Sequence, residues 1–480
     1  MAPDRFQEQF DQIQDAMGEV VLAAGFEGSQ PMFLYEKGYV LARVEDADEV
    51  ASTVRRAFAR DRGDRDAGVR VEREESPGGV LRIRVGEPDR SERFADRDVS
   101  DALRAVEDLE RENRRPMVSR NHIVSIAVNC CPGDEPVPIS RCESPNPAVA
   151  ELAGEGGAPV SVLVVDTGLV ENYRSHPWMH RVVGEGKEIE LDDEGILKQY
   201  VGHGTFIAGL VSAVAPNTDV TVHATLVNAG AISEKELGDK LLGGMLPEER
   251  WPDIVNLSAG TPSTGAEALL GLERFMDALM GHPETLLVAA AGNNGNEVRF
   301  WPAAYADHPD YAGAVVSVGA LRKDGTARAC FSNHGPWVTT YAPGERLVSA
   351  FTAVDPTPAA YDYQHSTFPA CRYGHLYDCT CQFPPHRGEL TEKMASSPNA
   401  IRERVEFDGL AEWSGTSFSA PLVVAMIANY MARNPGVGSR EAAGRLLQEI
   451  PVGRLSGITT PALIPATWTP RSVQSVPATP

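Results

Sequence analysis

The fold is decided by one stretch of this 480-residue chain, Val160-Ser161-Val162-Leu163-Val164-Val165-Asp166-Thr167-Gly168. Residues 160–165 are mostly apolar and β-branched with almost no alternation, which predicts a parallel strand buried on both faces. Similar apolar runs recur at residues 220–227, 254–257, 286–291 and 314–318. Helical periodicity separates these runs, over residues 205–214, 266–280 and 419–432. The alternation predicts an α/β fold in which a mostly parallel sheet has helices on both faces.

The composition argues against two classes of protein. Lys and Arg total 44 against 67 Asp and Glu, which gives a formal net charge of −23. We therefore expect no nucleic-acid partner, because phosphate binding depends on Lys and Arg. We also expect no membrane partner, since no apolar run reaches the roughly 20 residues that cross a bilayer. The first apolar stretch, at residues 20–26, lacks the basic flank and cleavage site of a signal peptide, which favours a cytoplasmic protein.

A smaller domain is predicted before the parallel sheet. Between residues 39 and 128 the apolar pattern indicates a strand, a helix, two strands around Pro77-Gly78-Gly79, a helix stopped by Pro116, and a last strand. This β-α-β-β-α-β order is the ferredoxin-like arrangement of a small α+β domain. Residues 1–38 are interpreted as an N-terminal extension with a helix over residues 6–24.

Three further segments complete the predicted organisation. Residues 129–159 are rich in Pro and end in a Gly-rich stretch, so we interpret them as a linker. The large α/β domain then spans residues 160–464. Within it, residues 352–408 contain three Cys and no clear periodicity, which indicates an insertion. Residues 465–480 are rich in Pro, Ser and Thr and are expected to be a flexible tail.

Polar residues stand where the predicted strands end and where the helices begin. Asp166 follows the first buried strand and Asn293 follows the run at 286–291, so both are expected at the carboxyl edge of the sheet, where α/β proteins bind ligands. His203 precedes a helix, and an imidazole accepts and returns a proton near neutral pH. Taken singly, each has an ordinary structural alternative, as a turn residue or a packed histidine.

The fourth candidate is Ser417, in the stretch Gly415-Thr416-Ser417-Phe418-Ser419-Ala420-Pro421. An apolar helix is predicted to follow at residues 422–431, with Pro421 tolerated in its first turn. The Ser417 hydroxyl is then expected at a helix N-terminus, where free N–H groups and the helix dipole favour negative charge. Such a place suits a nucleophile that becomes part of an oxyanion, although a capping serine is the structural alternative.

Three motifs resemble, in this order, the active-site signatures of the subtilisin-like serine proteases: Asp166-Thr167-Gly168, His203-Gly204-Thr205 and the Gly415 to Pro421 stretch. The order Asp, His, Ser and the spacings of 37 and 214 residues agree with that family. The resemblance covers residues 145–350 and 409–450. It implies that Ser417 attacks a peptide carbonyl while His203 transfers the proton and Asp166 orients His203. It also implies that Asn293 and the Ser417 N–H bind the oxyanion.

The same resemblance implies a groove for an extended protein or peptide substrate. The backbone of Ser258-Ala259-Gly260 is expected to pair with that substrate as an added strand. The segment Ala290-Ala291-Gly292 resembles the wall of the primary specificity pocket. Phe300, directly before Trp301-Pro302, is expected to fill part of that pocket and to favour small residues before the cut.

The predicted N-terminal domain resembles the prodomain that chaperones and inhibits many subtilisin-like proteases. This resemblance implies an intramolecular inhibitor, cleaved within residues 128–150. A permanent module that binds substrate or a partner is the alternative. Because a prodomain normally follows a signal peptide and none is seen, we expect a latch or a narrow specificity to restrain the enzyme.

A cluster of Cys and His lies in the predicted insertion, within 16 residues. Its members are Cys371, His375, Cys379, Cys381 and His386. These residue types bind zinc, but the spacing matches no standard zinc knuckle, so a disulfide with the cysteines at 130–142 and free thiols remain alternatives. Calcium often stabilises the family, and the acidic pair Asp192-Asp193 alone is a weak candidate site. We expect no required cofactor, with structural zinc or calcium as options.

An interaction protein is the contrasting interpretation of the whole chain. The same fold would then present residues 352–408, or the N-terminal domain, to a partner without catalysing a reaction. Reactivity of Ser417 towards a serine-specific probe distinguishes the two.

Overall fold

The structure, a computed structural model, contains an N-terminal unit formed by residues 5–126. The described residues are 5–18, 20, 22–27, 30–62, 68–85, 92–126, 135–139, 143–151, 159–185, 191–192, 194–227, 229–246, 250–263, 268–354, 358–362, 404–450, 455, 458 and 460–471. The elements of the N-terminal unit are α1 (Arg5–Met17), β1 (Leu22–Glu27), β2 (Gln30–Arg43), α2 (Ala47–Arg62), β3 (Arg70–Val71), β4 (Val80–Arg84), α3 (Glu92–Asn113) and β5 (Ser119–Ser125).

The sheet of the N-terminal unit has the strand order β5-β2-β4-β3, and each of these pairs is antiparallel. From β2 onward, the chain order and the sheet order match the ferredoxin-like arrangement predicted from the sequence. Helices α2 and α3 cover one face. Val50, Val54 and Phe58 recur every four residues on α2 and are all buried, as an amphipathic helix on a sheet requires.

The first 38 residues differ from the expectation. The predicted helix over residues 6–24 is wrong beyond Met17, because residues 22–27 form β1 and pair with β2. The side chain of Gln14 explains the turn, since its Nε2 donates to the Val20 carbonyl and its Oε1 accepts from the Leu22 N–H, both at 2.8 Å. Strand β2 also runs across the expected boundary at residue 38.

The remaining described residues form the large unit, residues 135–471. Its elements are β6 (Val137–Pro138), β7 (Val160–Asp166), β8 (Val182–Glu185), α4 (His203–Val214), β9 (Thr218–Ala224), β10 (Ala231–Ser233), α5 (Glu234–Lys240), β11 (Ile254–Leu257), β12 (Thr261–Pro262), α6 (Glu273–Gly281), β13 (Leu286–Ala290), β14 (Phe300–Trp301), β15 (Val315–Leu321), β16 (Thr340–Pro343), β17 (Leu347–Ala350), β18 (Ala359–Asp362), β19 (Arg404–Phe407), β20 (Leu410–Trp413), α7 (Thr416–Arg433) and α8 (Ser439–Glu449). Helices α4 and α7 pack against each other and against the central strands.

A seven-stranded sheet forms the core of the large unit, in the order β16-β15-β13-β11-β7-β9-β8. All six pairings are parallel. Every residue of β11, β13 and β15 is buried, which explains why these strands read as continuous apolar runs. The predicted α/β class, with a small α+β part before it, is confirmed.

Two segments expected to be irregular pack onto the large unit. In the predicted linker, β6 pairs with β20, and the Asn146 N–H donates to the Val348 carbonyl at 3.0 Å. The flexible tail expected from residue 465 is wrong for residues 465–471, because Trp468 is buried and the Ala148 N–H donates to the Thr467 carbonyl at 2.9 Å. Of the predicted insertion, β18 and β19 form an antiparallel pair, and residues 363–403 lie outside the described residues.

The two units share one sheet. Strand β10 of the large unit pairs antiparallel with β5, which extends the sheet of the N-terminal unit. An ion pair reinforces this contact, since Nε and Nη2 of Arg43 donate to the two carboxylate oxygens of Glu273, with the Nη2–Oε1 distance at 2.6 Å. Within the described ranges, no helix has the length and apolar character needed to span a membrane.

Candidate active site

Asp166 and His203 meet at the carboxyl edge of the parallel sheet. Asp166 is the last residue of β7 and His203 the first residue of α4, and both are almost completely buried. The Nδ1–H of His203 donates to Asp166 Oδ1 at 2.8 Å, and the Thr167 N–H donates to the same oxygen at 2.8 Å. The carboxylate therefore fixes the orientation and the tautomer of the imidazole.

Glycines around His203 allow this close packing. A Cβ on Gly204 would lie 2.3 Å from the Gly168 carbonyl oxygen, which no side chain tolerates. Gly202 has a φ of +81° and lies against the ring of Phe351, so both space and backbone conformation require glycine there. The glycines on either side of His203 thus bring its helix onto the end of β7.

Aromatic rings pack around the imidazole, and the sequence interpretation did not include them. The ring centroids of Trp413 and Phe418 lie 5.3 and 5.1 Å from that of His203, and Tyr200 lies edge-on at 6.4 Å. Trp413 and Phe418 flank the Gly415-Thr416-Ser417 motif in the sequence, which is the signal that could have identified them. The rings restrict the imidazole to one position.

Ser417 lies in the first turn of α7, as expected, but the helix begins earlier than predicted. Because α7 starts at Thr416, Pro421 lies in the second turn and not in the first. Pro421 has no N–H to donate to the carbonyl four residues before it, which is that of Ser417. The Ser258 hydroxyl donates to this carbonyl at 2.9 Å instead. In return, Ser417 Oγ donates to the Ser258 carbonyl at 3.1 Å.

Asn293 is held beside the start of α7 by its amide oxygen. Its Oδ1 accepts from the Thr416 N–H at 2.9 Å and from Thr416 Oγ1 at 2.8 Å. Its Nδ2 lies 3.6 Å from the place of a Cβ on Gly415, near the Ser417 turn. Asn333 supports the preceding loop, since its Nδ2 donates to the Ala291 carbonyl at 2.8 Å. Because these two hydrogen bonds fix Oδ1, they also set the direction in which the Nδ2 group of Asn293 points.

Two backbone segments face each other across the ring of Phe300. A Cβ on Gly260 would lie 2.4 Å from Phe300 Cε1, and a Cβ on Gly292 would lie 2.8 Å from Phe300 Cγ. Gly260 and Gly292, which end the predicted segments Ser258-Ala259-Gly260 and Ala290-Ala291-Gly292, thus lie on either side of one aromatic ring. The buried ring of Phe300 occupies the space between them.

The N-terminal unit pairs with the first of these segments, at Gly260. The Ser125 N–H donates to the Gly260 carbonyl at 3.0 Å, and the Gly260 N–H donates to the Ser125 carbonyl at 2.9 Å. On the other side, the Ile126 N–H donates to the Gly230 carbonyl at 2.9 Å. The end of β5 therefore lies between two backbone edges of the large unit, with Gly260 on one side and β10 on the other.

Buried side chains strengthen this contact. Glu234 is fully buried, and its Oε1 accepts from the His122 N–H at 3.0 Å and lies 2.8 Å from His122 Nδ1. Its Oε2 accepts from the Gly271 N–H at 3.0 Å. On the N-terminal unit, burial raises the pKa of Glu36, while the nearby Arg82 and the Asn121 amide act in the opposite direction.

The predicted metal candidates stay without structural support. Cys371, His375, Cys379, Cys381 and His386 lie outside the described residues, as does Asp193. Asp192 Oδ1 accepts from the N–H groups of Glu194 and Ile196, which is the pattern of a turn. In the described part of the chain, no three His, Cys, Asp or Glu residues lie close enough to hold a metal ion.

Comparison with known families identifies the large unit. A sequence model described as the Subtilase family matches residues 157–459, which is well over half of the chain. The chain belongs to the subtilase family. The matched range contains Asp166, His203, Asn293 and Ser417, so the four polar residues of the sheet edge lie within the subtilase region.

Known subtilases resemble this chain over part of its length. The "Intracellular serine protease" of Paenibacillus polymyxa is 32% identical over 208 residues, which is 40% of this chain and 59% of that relative. The "Major intracellular serine protease" of Bacillus subtilis (strain 168) is 30% identical over 257 residues, 49% of this chain and 69% of that relative. The chain spans about half the length of curated subtilases such as the thermophilic serine proteinase of a Bacillus species (47%).

A solved subtilase structure resembles nearly the whole chain in fold. The crystal structure of fervidolysin from Fervidobacterium pennivorans, described as a keratinolytic enzyme related to subtilisin, matches with a TM-score of 0.51. The match covers 93% of this chain and 62% of that structure at 16% sequence identity. At this identity the likeness concerns the fold alone.

Proposed function

We propose that this subtilase is a serine endopeptidase in which Asp166, His203 and Ser417 form the catalytic triad. The observation that carries the proposal is the buried 2.8 Å hydrogen bond from His203 Nδ1 to Asp166 Oδ1. The position of Ser417 supports it, because Phe418, the next residue on α7, packs against the same imidazole. A carboxylate, an oriented imidazole and a hydroxyl at a helix N-terminus are the parts that acyl transfer requires.

The proposed reaction begins with a rotation of the Ser417 side chain. Ser417 Oγ leaves its hydrogen bond with the Ser258 carbonyl, turns towards His203 Nε2 and attacks the peptide carbonyl carbon of the substrate. His203 takes the hydroxyl proton and passes it to the leaving amine, so that the C–N bond breaks and an acyl-enzyme remains. Water, with His203 as the base, then attacks the ester carbonyl of the acyl-enzyme. The acid product is released, and the Ser417 hydroxyl is restored.

We propose that Asn293 and the Ser417 N–H stabilise the oxyanion. The contacts of Asn293 Oδ1 with Thr416 support this role, since they fix the orientation of the amide group beside the turn that contains the Ser417 N–H. The donors are fixed before the reaction, and one such donor contributes about 3–4 kcal/mol to the stability of the transition state.

The substrate is proposed to be an extended, unfolded or loop segment that adds a strand between Gly260 and β10. The pairing of Gly260 with Ser125 supports this mode, because both polar backbone groups of Gly260 form hydrogen bonds with a strand that runs antiparallel to it. Phe300 is proposed to restrict the residue before the cut to a small side chain. Its ring lies where a larger side chain would have to enter, between Gly260 and Gly292.

The N-terminal unit is proposed to inhibit the enzyme intramolecularly by occupying the substrate position with the end of β5. Val124 and Ile126 support this function, because both belong to the apolar core of the large unit although they are part of the N-terminal unit. A peptide substrate cannot form the same backbone hydrogen bonds with Gly260 until this strand leaves.

The register of this strand suggests a self-cleavage site. Ser125 pairs with Gly260, and Ser258, whose carbonyl accepts from Ser417 Oγ, lies two residues before Gly260, so the bond attacked by Ser417 is expected to follow closely after Ser125. We therefore propose cleavage between Ala127 and Val128, residues that lie outside the described part of the chain. This bond is at the N-terminal limit of the segment 128–150 expected from the sequence, and Ala127 is a small residue, as the Phe300 proposal requires.

A fluorophosphonate probe, which reacts with activated serines, tests the proposed function. The chain after release of the N-terminal unit is expected to be labelled, and Ser417→Ala is expected to remain unlabelled. Ser419→Ala is the matched control, because it removes a buried hydroxyl from the same helix. Absence of labelling in the wild type, with the N-terminal unit released, would favour the interaction protein.

Location and metal content remain proposals. Two relatives carry "intracellular" in their names, which supports a cytoplasmic location, and cell fractionation tests it. The proposed reaction uses side chains and backbone alone, so we propose that no cofactor is required. Structural zinc at the cluster of residues 371–386, or calcium elsewhere, is tested by elemental analysis of the purified chain.

A further inference from the structure

A buried amide interrupts one of the central strands of the parallel sheet. Asn256 lies on β11, between Val164 of β7 and Val288 of β13, and is completely buried. Its Nδ2 donates to Ser258 Oγ at 3.1 Å, whereas its Oδ1 has no hydrogen-bond partner among the described residues. Because a buried acceptor without a partner costs free energy, the stability of the sheet alone does not explain an amide at this position.

The hydroxyl of Ser258 connects this amide to the start of α7. Ser258 follows β11 and is buried, and its Oγ donates to the Ser417 carbonyl at 2.9 Å. A hydroxyl carries a single hydrogen, so a Ser258 hydroxyl that donates to this carbonyl can only accept from Asn256. The Asn256 Nδ2 group therefore fixes the direction in which the Ser258 hydroxyl points.

The carbonyl that accepts this hydrogen bond is one that α7 leaves without a helical donor. The N–H four residues after Ser417 would belong to Pro421, which has none. The Ser258 carbonyl in turn accepts from Ser417 Oγ at 3.1 Å. Ser258 thus holds both the backbone and the side chain of Ser417.

We propose that Asn256 and the side chain of Ser258 are positioning residues for the Ser417 nucleophile. The inference rests on the proposed function, in which Ser417 Oγ turns towards His203 and attacks a peptide carbonyl. The Ser258 hydroxyl replaces the helix hydrogen bond that Pro421 cannot form, and Asn256 keeps that hydroxyl aligned. Both side chains act through the Ser417 backbone, and a fixed backbone reduces the entropy that the attacking hydroxyl must lose.

Asn256→Leu separates positioning from stability. The leucine is apolar and of similar size, so the variant loses both the hydrogen bond to Ser258 and the acceptor without a partner. We expect kcat for a peptide to fall about threefold to tenfold, as for the loss of one buried hydrogen bond. The urea midpoint is expected to stay at or above the wild-type value, whereas a merely structural role would lower both quantities or neither.

Ser258→Ala removes the hydroxyl and leaves the backbone groups that are proposed to pair with substrate. Its kcat should fall about tenfold while its KM stays close to the wild-type value. Because Asn256 acts through this hydroxyl, Asn256→Leu should have no further effect on kcat in the Ser258→Ala chain. Ser317→Ala is the matched control, since it removes a buried hydroxyl from β15 of the same sheet, and it should keep the wild-type kcat and KM.

Each variant is expressed as the full-length chain, and kcat is calculated from the concentration of sites that the fluorophosphonate probe labels. A wild-type kcat for Ser258→Ala overturns the proposal. It is also overturned if Asn256→Leu loses stability and activity together, or if its kcat falls by the same factor with and without the Ser258 hydroxyl. Failure of the proposed function has a different signature, because the wild type would then react with the probe no faster than Ser417→Ala.

Discussion

The N-terminal unit and the large unit are stabilised in different ways. The parallel sheet of the large unit lies in a continuous apolar core, and the proposed catalytic residue Asp166 and the proposed oxyanion donor Asn293 lie at one edge of it. The N-terminal unit joins it through backbone pairing of β5, through the apolar side chains of Val124 and Ile126, and through buried polar contacts such as that of Glu234 with His122. A single hydrogen bond contributes only about 1 kcal/mol. The joint can therefore be loosened by changes that leave the site intact.

The largest effect on the site is expected from Asn293→Asp. The variant keeps an oxygen for the two hydrogen bonds from Thr416 but loses the amide donor, so kcat/KM for peptides should fall about 10²- to 10³-fold. The urea midpoint should change little. Asn294→Asp makes the same chemical change one residue later and serves as control. Near-normal activity of Asn293→Asp contradicts the assignment of the oxyanion donor.

Phe300→Ala tests whether the ring between Gly260 and Gly292 determines which residue is accepted before the cut. Removal of the ring should shift the kcat/KM ratio for large over small residues before the cut about tenfold to a hundredfold, as judged with a peptide library. Phe275→Ala, which empties a buried site on α6, is the control for loss of stability alone. A wild-type profile that already prefers large aromatic residues there refutes the proposed role of Phe300.

The joint itself is tested by Glu234→Gln. The substitution places an amide group where Oε1 and Oε2 accept three donors, so the N-terminal unit should inhibit peptide hydrolysis about tenfold to a hundredfold more weakly. Glu236→Gln, an exposed position on the same helix, should inhibit like the wild type. Inhibition constants for the processed enzyme distinguish the outcomes. Equal inhibition constants for both variants would show that the hydrogen bonds of Glu234 contribute nothing to inhibition by the N-terminal unit.

The smallest expected effect is on how the stability of the large unit depends on pH. Burial lowers the pKa of His176 below 6.5, although its hydrogen bond with the Thr352 carbonyl opposes this shift. The folded state therefore disfavours the charged imidazole, so this contribution to stability is present above pH 6.5 and is lost as the pH falls through the lowered pKa. The loss is at most about 1.4 kcal/mol per pH unit.

His176→Gln is the variant for this measurement, because an amide does not titrate in this range. Its free energy of unfolding in urea should depend less on pH than that of the wild type between about pH 8 and about pH 5. The exposed His180→Gln is the matched control and should follow the wild type. Identical pH dependence in all three proteins contradicts a role for His176.

The sequence predicted the parallel sheet well because strands buried on both faces leave an unmistakable apolar pattern. The start of α7 was predicted too late in the chain. Thr416 and Ser417 carry no apolar periodicity, and Pro421 was interpreted as part of the first turn. The packed part of residues 129–159 was missed because its partner, β20, is far away in the chain. Pairing between distant segments of this kind has no local signal.

The candidate site was likewise predicted only in part. Motifs identified Asp166, His203, Asn293 and Ser417, because each follows a strand or begins a helix. The aromatic packing of Trp413 on His203 depends on tertiary contacts and was not predicted. The pairing of Ser125 with Gly260 likewise depends on the assembled units, so only a range for self-cleavage could be predicted from the sequence.

Mass spectrometry of the N-terminus after expression of the full-length chain tests whether Ser417 cuts the chain that contains it. We expect the processed fragment of the wild type and of Ser419→Ala to begin at Val128, whereas Ser417→Ala remains uncut. Cleavage of Ser417→Ala at the same bond would mean that another protease makes the cut. A wild-type chain that hydrolyses peptides while still intact, or one cut at another bond, would contradict the proposal that the chain following β5 is cut by Ser417.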